Sequence, residues 1–272
     1  IGIDTGGTFT DFYIADGDRV LSWKEPSTPA DPSRAILTGL AAIAARLTEA
    51  GGAEIIHGST VATNALLEGK TARIAFLTNR GFEDLLEIGR QARPALYDLN
   101  VERPVPLAPL ALRFGLAGRL DHAGREIEPL DREAIRSLAA GLKADGVASA
   151  AICLLHACVN PAHEDEVAGI LQGAGLSVTA SARLVPEYRE YERGSTAAVN
   201  AAVSPIVSRY LGALERGLRE SAPAPIAPLR TLRVMGSNGG ALSPQVAGRE
   251  AARTVLSGPA GGVRAAEHVG RA

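Results

Sequence analysis

The chain has 272 residues, with 28 Lys and Arg against 30 Asp and Glu, so its net charge of −2 carries no electrostatic footprint for a polyanion or a membrane surface. Aromatic residues at 4% are too few for a base-stacking nucleic-acid platform, and no apolar run is of membrane-spanning length. A hydrophobic fraction of 46% suffices for one large or two smaller packed domains, and two cysteines point to a reducing cytoplasm rather than a disulfide scaffold.

Ile1 and Ile3 alternate with Gly2 and Asp4, the period-2 pattern of a half-buried strand. Strand character resumes at Phe12–Ile14 after a turn built on Gly6 and Gly7, and Asp16-Gly17 marks a second hairpin turn into Arg19–Lys24. Asp31 is a good N-cap with Pro32 at the first helical position, and Ile36, Leu40, Ile43 and Leu47 give an amphipathic helix ending near Gly51-Gly52. A short strand over 54–57, a helix over 60–68, a buried strand over 73–77 and a helix over 81–88 follow. Residues 89–130 are basic and proline-punctuated, a long irregular connection with one strand near 112–120. Asp131 caps a helix through Leu142, residues 147–157 form an apolar strand, Asn160-Pro161 opens another helix, and 176–180 is a strand. From Ser195 a long helical stripe runs to Leu218, with Pro205 expected to kink or split it. The SAPAPIAP stretch is an extended spacer, 229–235 a strand, SNGG a loop, and SGPAGG opens a final helix through His268.

The Gly6-Gly7 turn offers backbone N–H groups that no Cβ screens from a phosphate. Thr8 and Thr10 can add hydroxyl donors, and Asp4 and Asp11 are carboxylates that a phosphate-bound Mg²⁺ needs, directly or through its waters. A plain hairpin tip with two solvated aspartates uses the same residues. The loop lacks the Gly-Lys-Ser/Thr ending of a Walker A motif and the glycine spacing of a dinucleotide fingerprint.

IGIDTGGTFTDFYI resembles the first phosphate motif of the actin/Hsp70/sugar-kinase ATPase superfamily. Together with HGSTVATNALLEGKTARIAFLTNRGFEDLLEIGRQARPALYDL, SNGG and SGPAGG, it resembles the hydantoinase A / 5-oxoprolinase family over nearly the whole chain. The fold this implies is α/β, a ribonuclease-H-like (actin-like ATPase) domain over 1–90 with an inserted or following second α/β unit over 91–190. Residues 191–272 would then hold a helical segment and the start of a second ATPase lobe. The activity implied is ATP- and Mg²⁺-dependent attack on a small cyclic amide or imide, hydantoin or 5-oxoproline, through phosphorylation of the carbonyl oxygen. No Ser-His-Asp or Cys-His arrangement asks for a side-chain nucleophile. An ATP-dependent ketone carboxylase subunit, a sugar kinase of the repressor/kinase group and a non-catalytic nucleotide-binding lobe are the alternatives. The sugar-kinase reading lacks that group's Cys-rich zinc string.

The resemblance also implies site residues. Asp4 and Asp11 would hold the metal–nucleotide complex, and Gly6, Gly7, Thr8, Thr10, Gly239, Gly240, Gly261 and Gly262 the phosphates or ribose. His57 would be catalytic beside Asp4 and Asp11, and Ser59 and Thr60 would contact the cofactor, at a strand end before a helix near the catalytic cleft in such families; a capped helix start with a packed His57 is the competing reading. Arg90, Gln91 and Arg93 offer donors for a substrate carboxylate or imide, against a solvated loop. Cys153, His156 and Cys158 read as buried groups of a core strand, because alternation splits them between two faces. The family works with a second, larger hydrolase subunit or domain, which is the partner expected beside a possible homo-oligomer; neither nucleic acid nor membrane is expected. A second phosphate motif follows SGPAGG in the family and is not reached before Ala272, and the chain opens without Met inside a strand. Both features suggest the N-terminal part of a longer subunit.

Overall fold

The computed structural model describes residues 1–28, 30–47, 52–92, 95, 97–98, 100, 104–224, 226–227 and 229–271. The first elements are β1 (Gly2–Thr5), β2 (Phe9–Asp16), β3 (Arg19–Pro26), α1 (Pro32–Ala44), β4 (Glu54–Ser59) and α2 (Val61–Leu67). Next come β5 (Ile74–Asn79), α3 (Leu85–Ile88), β6 (Arg113–Leu116), β7 (Arg119–Leu120), β8 (Glu126–Glu128), α4 (Arg132–Ala144), β9 (Ser149–Ile152), α5 (Ala162–Gly173), β10 (Ser177–Ala180) and α6 (Ser181–Leu184). The chain closes with α7 (Glu190–Ser221), β11 (Thr231–Met235), β12 (Ala241–Leu242), α8 (Pro244–Arg249) and α9 (Ser257–Arg271). Two compact units divide it: Ile1–Thr71 with Ile206–Ala272, and Ala72–Pro205.

The first unit is built on a six-stranded sheet in the order β12-β11-β4-β1-β2-β3. β1, β2 and β3 are antiparallel, while β4 runs parallel to β1 and β11 parallel to β4. Gly17, at φ 59°, takes the first place of the two-residue turn that sets Asp16 opposite Arg19. Alternation then buries Phe12 and Ile14 on one face and leaves Asp11, Tyr13 and Ala15 on the other. α1 covers the buried face. Its Asp31 carboxylate accepts from the Ser33 N–H, and Ile36, Leu40 and Ile43 are fully buried. Gly39 is required there: a Cβ would lie 2.4 Å from Phe12 Cζ.

The second unit holds an all-parallel sheet, β10-β9-β5-β6. Leu77 packs with Ile135, Leu142, Val167 and Leu171 of α4 and α5 on one face. Ile74 and Phe76 pack with Ala197 and Ala201 of α7 on the other. Every residue of β5 is therefore buried, as expected of a parallel strand covered on both sides.

That burial explains where the structure departs from the order read along the sequence. Strand 73–77 was expected in the first unit, ending near residue 90; instead β5 pairs with β6 and β9, and β11 takes the place beside β4. An all-apolar strand needs cover on two faces, whereas β11, with Arg233 exposed and Val234 buried, suits a sheet open on one. Pro205 does not split α7, whose Glu190–Ser221 span is continuous and already includes the charged YREYERG end. Ala201, Ala202, Val203 and Val207 around it are buried, and that packing holds the turns that a missing N–H weakens.

The apolar strand of 147–157 shortens to Ser149–Ile152. Cys153 is buried just beyond it, while His156, at φ 60°, and Cys158 lie in a turn, so strand alternation does not govern these three. Side chains capture the backbone here in place of a ladder: Glu164 accepts from the Leu154 N–H at 2.8 Å and Asn79 from the Leu155 N–H at 2.7 Å. Among the described residues no three His, Cys, Asp or Glu side chains cluster as metal ligands.

Two glycine substitutions test this packing. Gly39→Ala forces the Phe12 ring aside and is expected to lower the unfolding free energy by about 1–3 kcal/mol. Gly141→Ala in α4, where a Cβ meets nothing within 4 Å, is expected to raise it by about 0.5–1 kcal/mol. Denaturant titration of the two variants measures both, and equal shifts would remove the Phe12–Gly39 contact from the account.

Candidate functional site

One rung of the open sheet face collects the charges. Asp4 stands directly opposite Asp11, Asp11 opposite Lys24, and Asp4 opposite Gly58 on its other side. Lys24 Nζ lies 2.7 Å from Asp11 Oδ1 and 5.0 Å from the centre of the Phe9 ring. A Cβ on Gly58 would lie 3.1 Å from Asp4 Oδ1, so the glycine makes room for that carboxylate. Two like charges directly opposite each other disfavour a sheet pair. The pKa of Asp4 is accordingly raised, first by desolvation and then by the charge of Asp11.

The rung borders a cavity of about 1000 Å³ whose far wall is the start of α9, with Ser257, Gly258, Gly261 and Gly262. Ser257 Oγ donates to the Ser59 carbonyl at 3.3 Å, and Thr63 Oγ1 accepts from the Leu256 N–H at 3.0 Å. These bonds fix the beginning of α9 against the end of β4.

At the hairpin tip, Gly7 and Thr8 are exposed. The Gly6 N–H is used within the turn, donating to the Phe9 carbonyl at 3.0 Å, and the Gly6 carbonyl accepts from Ser27 Oγ at 2.8 Å. Thr10 points to the opposite face, fully buried, with Oγ1 at 3.0 Å from Ser27 Oγ. Its hydroxyl braces the tip from behind and is not directed at the cavity.

His57 also lies on the buried face, between Ile3 of β1 and Val234 of β11. Its Nε2 is 2.6 Å from the Tyr210 hydroxyl of α7, and among the described residues Nδ1 has no hydrogen-bond partner. Burial lowers its pKa to about 4, opposed weakly by the Ile3 backbone, and burial raises that of Tyr210. Ser59 Oγ accepts from the Val61 N–H at 3.2 Å, and Thr60 Oγ1 donates to the Thr5 carbonyl at 3.0 Å. His57 is thus packed in the core, while Ser59 and Thr60 bond backbone groups around the start of α2, whose N-cap Thr60 makes no side-chain cap bond.

The remaining expected residues lie elsewhere. Gly239, at φ 75°, and Gly240 form a tight turn closed by Asn238 Oδ1 and are not among the cavity-lining residues. Arg90 and Gln91 belong to the second unit, Arg90 Nε donating to Glu192 Oε1 at 2.8 Å and Gln91 sitting at φ 56°. Arg93 lies outside the described residues. Sequence reasoning missed Lys24, Gly58 and Tyr210. The first was within reach, because the Asp16-Gly17 turn fixes the ladder and counting back along it pairs Lys24 with Asp11. Tyr210 was not, since nothing local links it to His57.

Two outcomes follow from the buried pair. Tyr210→Phe leaves His57 Nε2 unsatisfied and is expected to cost about 1–3 kcal/mol of stability, read by denaturant titration. A histidine held at about 4 when folded and 6.5 when unfolded takes up protons on unfolding, so its contribution is fully present above 6.5 and lost as pH falls toward 4. Asp4 acts with opposite sign: its raised folded pKa means that it loses stability as pH rises above its ordinary 3.8. Between pH 4 and 6.5 the melting temperature is therefore expected to climb more steeply with pH in the wild type than in His57→Gln; equal slopes would take His57 out of the titration.

Residues 1–175 match the family model of the hydantoinase/oxoprolinase N-terminal region, and residues 193–272 that of hydantoinase/oxoprolinase. The chain is 37% identical to the caprolactamase subunit alpha of Pseudomonas jessenii over 96% of its own length and 38% of that protein's. It is 34% identical to 5-oxoprolinase 1 of Arabidopsis thaliana, covering 96% of this chain and 23% of that one. The crystal structure of the ATP-dependent caprolactamase superposes with a TM-score of 0.83 at 33% identity, over 99% of this chain and 40% of that one. The nucleotide-free structure of acetone carboxylase gives 0.82 at 29% identity over the same shares. The chain thus spans about two-fifths or less of the length of these relatives. Matched by its family models along both compact units, the chain belongs to the hydantoinase/oxoprolinase family.

Proposed function

We propose that this chain supplies the phosphate- and metal-binding part of an ATP-dependent enzyme that opens cyclic amides. The observation that carries the reading is the rung itself: two carboxylates face each other on the wall of a large cavity, opposite a glycine-lined helix start. Two oxygen ligands suit Mg²⁺, which keeps several waters and shares its remaining positions with substrate phosphates. Asp4 and Asp11 would hold it, and the exposed Gly7 and Thr8 would meet the polyphosphate. The strand order, with an antiparallel β1–β3 meander continued by parallel β4 and β11, supports a ribonuclease-H-like unit of the actin-like ATPase type. The second unit is then an insertion between α2 and the later half of α7.

An amide carbonyl is a poor electrophile. Phosphoryl transfer to its oxygen makes that oxygen a leaving group, and the protein's task is positioning and charge stabilisation rather than nucleophilic attack. His57 fits this division, since it is buried behind the sheet and held neutral. The relative named a subunit, caprolactamase subunit alpha, supports a partner subunit for this protein. The likeness to acetone carboxylase favours a second reading, ketone activation by the same carbonyl-oxygen chemistry.

In the full-length enzyme, ATP turnover is measured with hydantoin, 5-oxoproline, caprolactam, acetone and a hexose. Stimulation by a cyclic amide is the expected result, stimulation by acetone alone selects the second reading, and stimulation by the hexose alone or by none defeats both. Asp4→Asn is expected to lower the stimulated rate by about 10²-fold, the scale of one preorganised electrostatic group. A folded variant with an unchanged rate would remove Asp4 from the site.

A further inference from the structure

Gly2 is a glycine that its own surroundings do not require. It is the first residue of the central strand β1 and lines the cavity beside the carboxylate rung, where it presents bare backbone. It has no positive φ. A Cβ there would meet nothing nearer than the Tyr13 carbonyl at 3.7 Å, an ordinary contact. Gly39 and Gly58, by contrast, are explained by Phe12 and by Asp4.

The neighbours of Gly2 give the position a shape. Its partners on the same rung are Tyr13 of β2 and Ile56 of β4. Both side chains stand on the open face, 60% and 46% exposed, and line the cavity beside Asp4 and Asp11. Two apolar walls therefore rise from strands about 10 Å apart, with a floor of bare backbone between them. The trough is one rung, about 7 Å, from the carboxylates, on the side away from the Gly6-Gly7 tip.

We propose that the Tyr13–Gly2–Ile56 trough binds the ring of the acceptor, a small cyclic amide whose carbonyl edge points at the carboxylate rung. This rests on the phosphoryl-transfer reading of that rung. Distance selects the acceptor over the nucleotide base: the base is separated from the terminal phosphoryl group by two further phosphates and a ribose, too far to occupy the adjacent rung. Chemistry agrees, since the walls are apolar and bring no buried charge against a neutral ring, while the polar edge of the amide faces Asp4 and its cation. Gly2 then sets how deeply the ring sits and which ring size fits.

Gly2→Ala tests this in the full-length enzyme with its partner subunit, using whichever of hydantoin, 5-oxoproline or caprolactam most stimulates the wild type. A methyl group raises the floor without a clash in the fold. The KM for the cyclic amide is expected to rise about tenfold or more, the scale of a methylene-sized misfit in a pocket. Mg·ATP affinity by calorimetry and the melting temperature should stay as in wild type. An unchanged KM overturns the assignment. So does a fall in melting temperature with KM unaffected, which would show the trough packed against protein. Absence of Mg·ATP binding in the wild type would instead defeat the underlying reading of the rung, and the two failures are told apart before the variant is compared.

Discussion

Two carboxylates face each other across an antiparallel rung, and the sheet holds them there against their repulsion. Asp4 sits on a strand bonded on both sides, so neither β2 nor β4 can slip independently of it. A shift of one residue would turn Ile3, Phe12 and Ile14 out of the core and bring the aspartates in. Burial of those three side chains, several kcal/mol in all, thus enforces an electrostatic arrangement that the aspartates alone would not adopt. Lys24 relieves Asp11 but leaves Asp4 with its pKa raised.

The second unit handles its polar groups in the opposite way. At the carboxyl ends of its strands, Asn79 donates to the Gly118 carbonyl at 2.6 Å while accepting from Leu155. Glu164, fully buried, accepts from Leu154, Ala182 and Ser181, and the equally buried Arg193 donates to Ser181 and to the Leu154 carbonyl. Such a network costs desolvation and returns a fixed loop arrangement. Its oxygens are consumed internally. The carboxylates of the first unit's rung, by contrast, are exposed and line the cavity.

Local signals carried much of this into the sequence. The Asp31-Pro32 cap, the Asp131 cap and the Asp16-Gly17 turn each act within a few residues, and each forms where its residue types predict. The family resemblance is confirmed by the matched models. Strand partnership was not legible, because the pairing of β11 with β4 joins residues far apart in the chain and a single Arg233 in a short strand does not say which sheet it enters. Thr10 and Thr8 look alike on paper as hydroxyl donors. Thr8 lies exposed in the turn before β2, whereas Thr10 is inside β2 on the core side with Ser27, and where the strand begins decides it. The Tyr210–His57 bond joins residues 153 positions apart and leaves no local trace.

The two faces of one strand end therefore divide the work. On the buried side, β4 contributes His57, whose lowered pKa keeps it neutral near pH 7 and whose ring is committed to Tyr210. A group so placed anchors α7 to the sheet and is not among the residues that line the cavity. On the open side, the next residue of β4 is Gly58, and its lack of a side chain lets the Asp4 carboxylate stand in the cavity. Moving the histidine one residue along would crowd the Asp4 carboxylate and place the imidazole on the open face. The arrangement present keeps the imidazole behind the sheet and the two carboxylates in front.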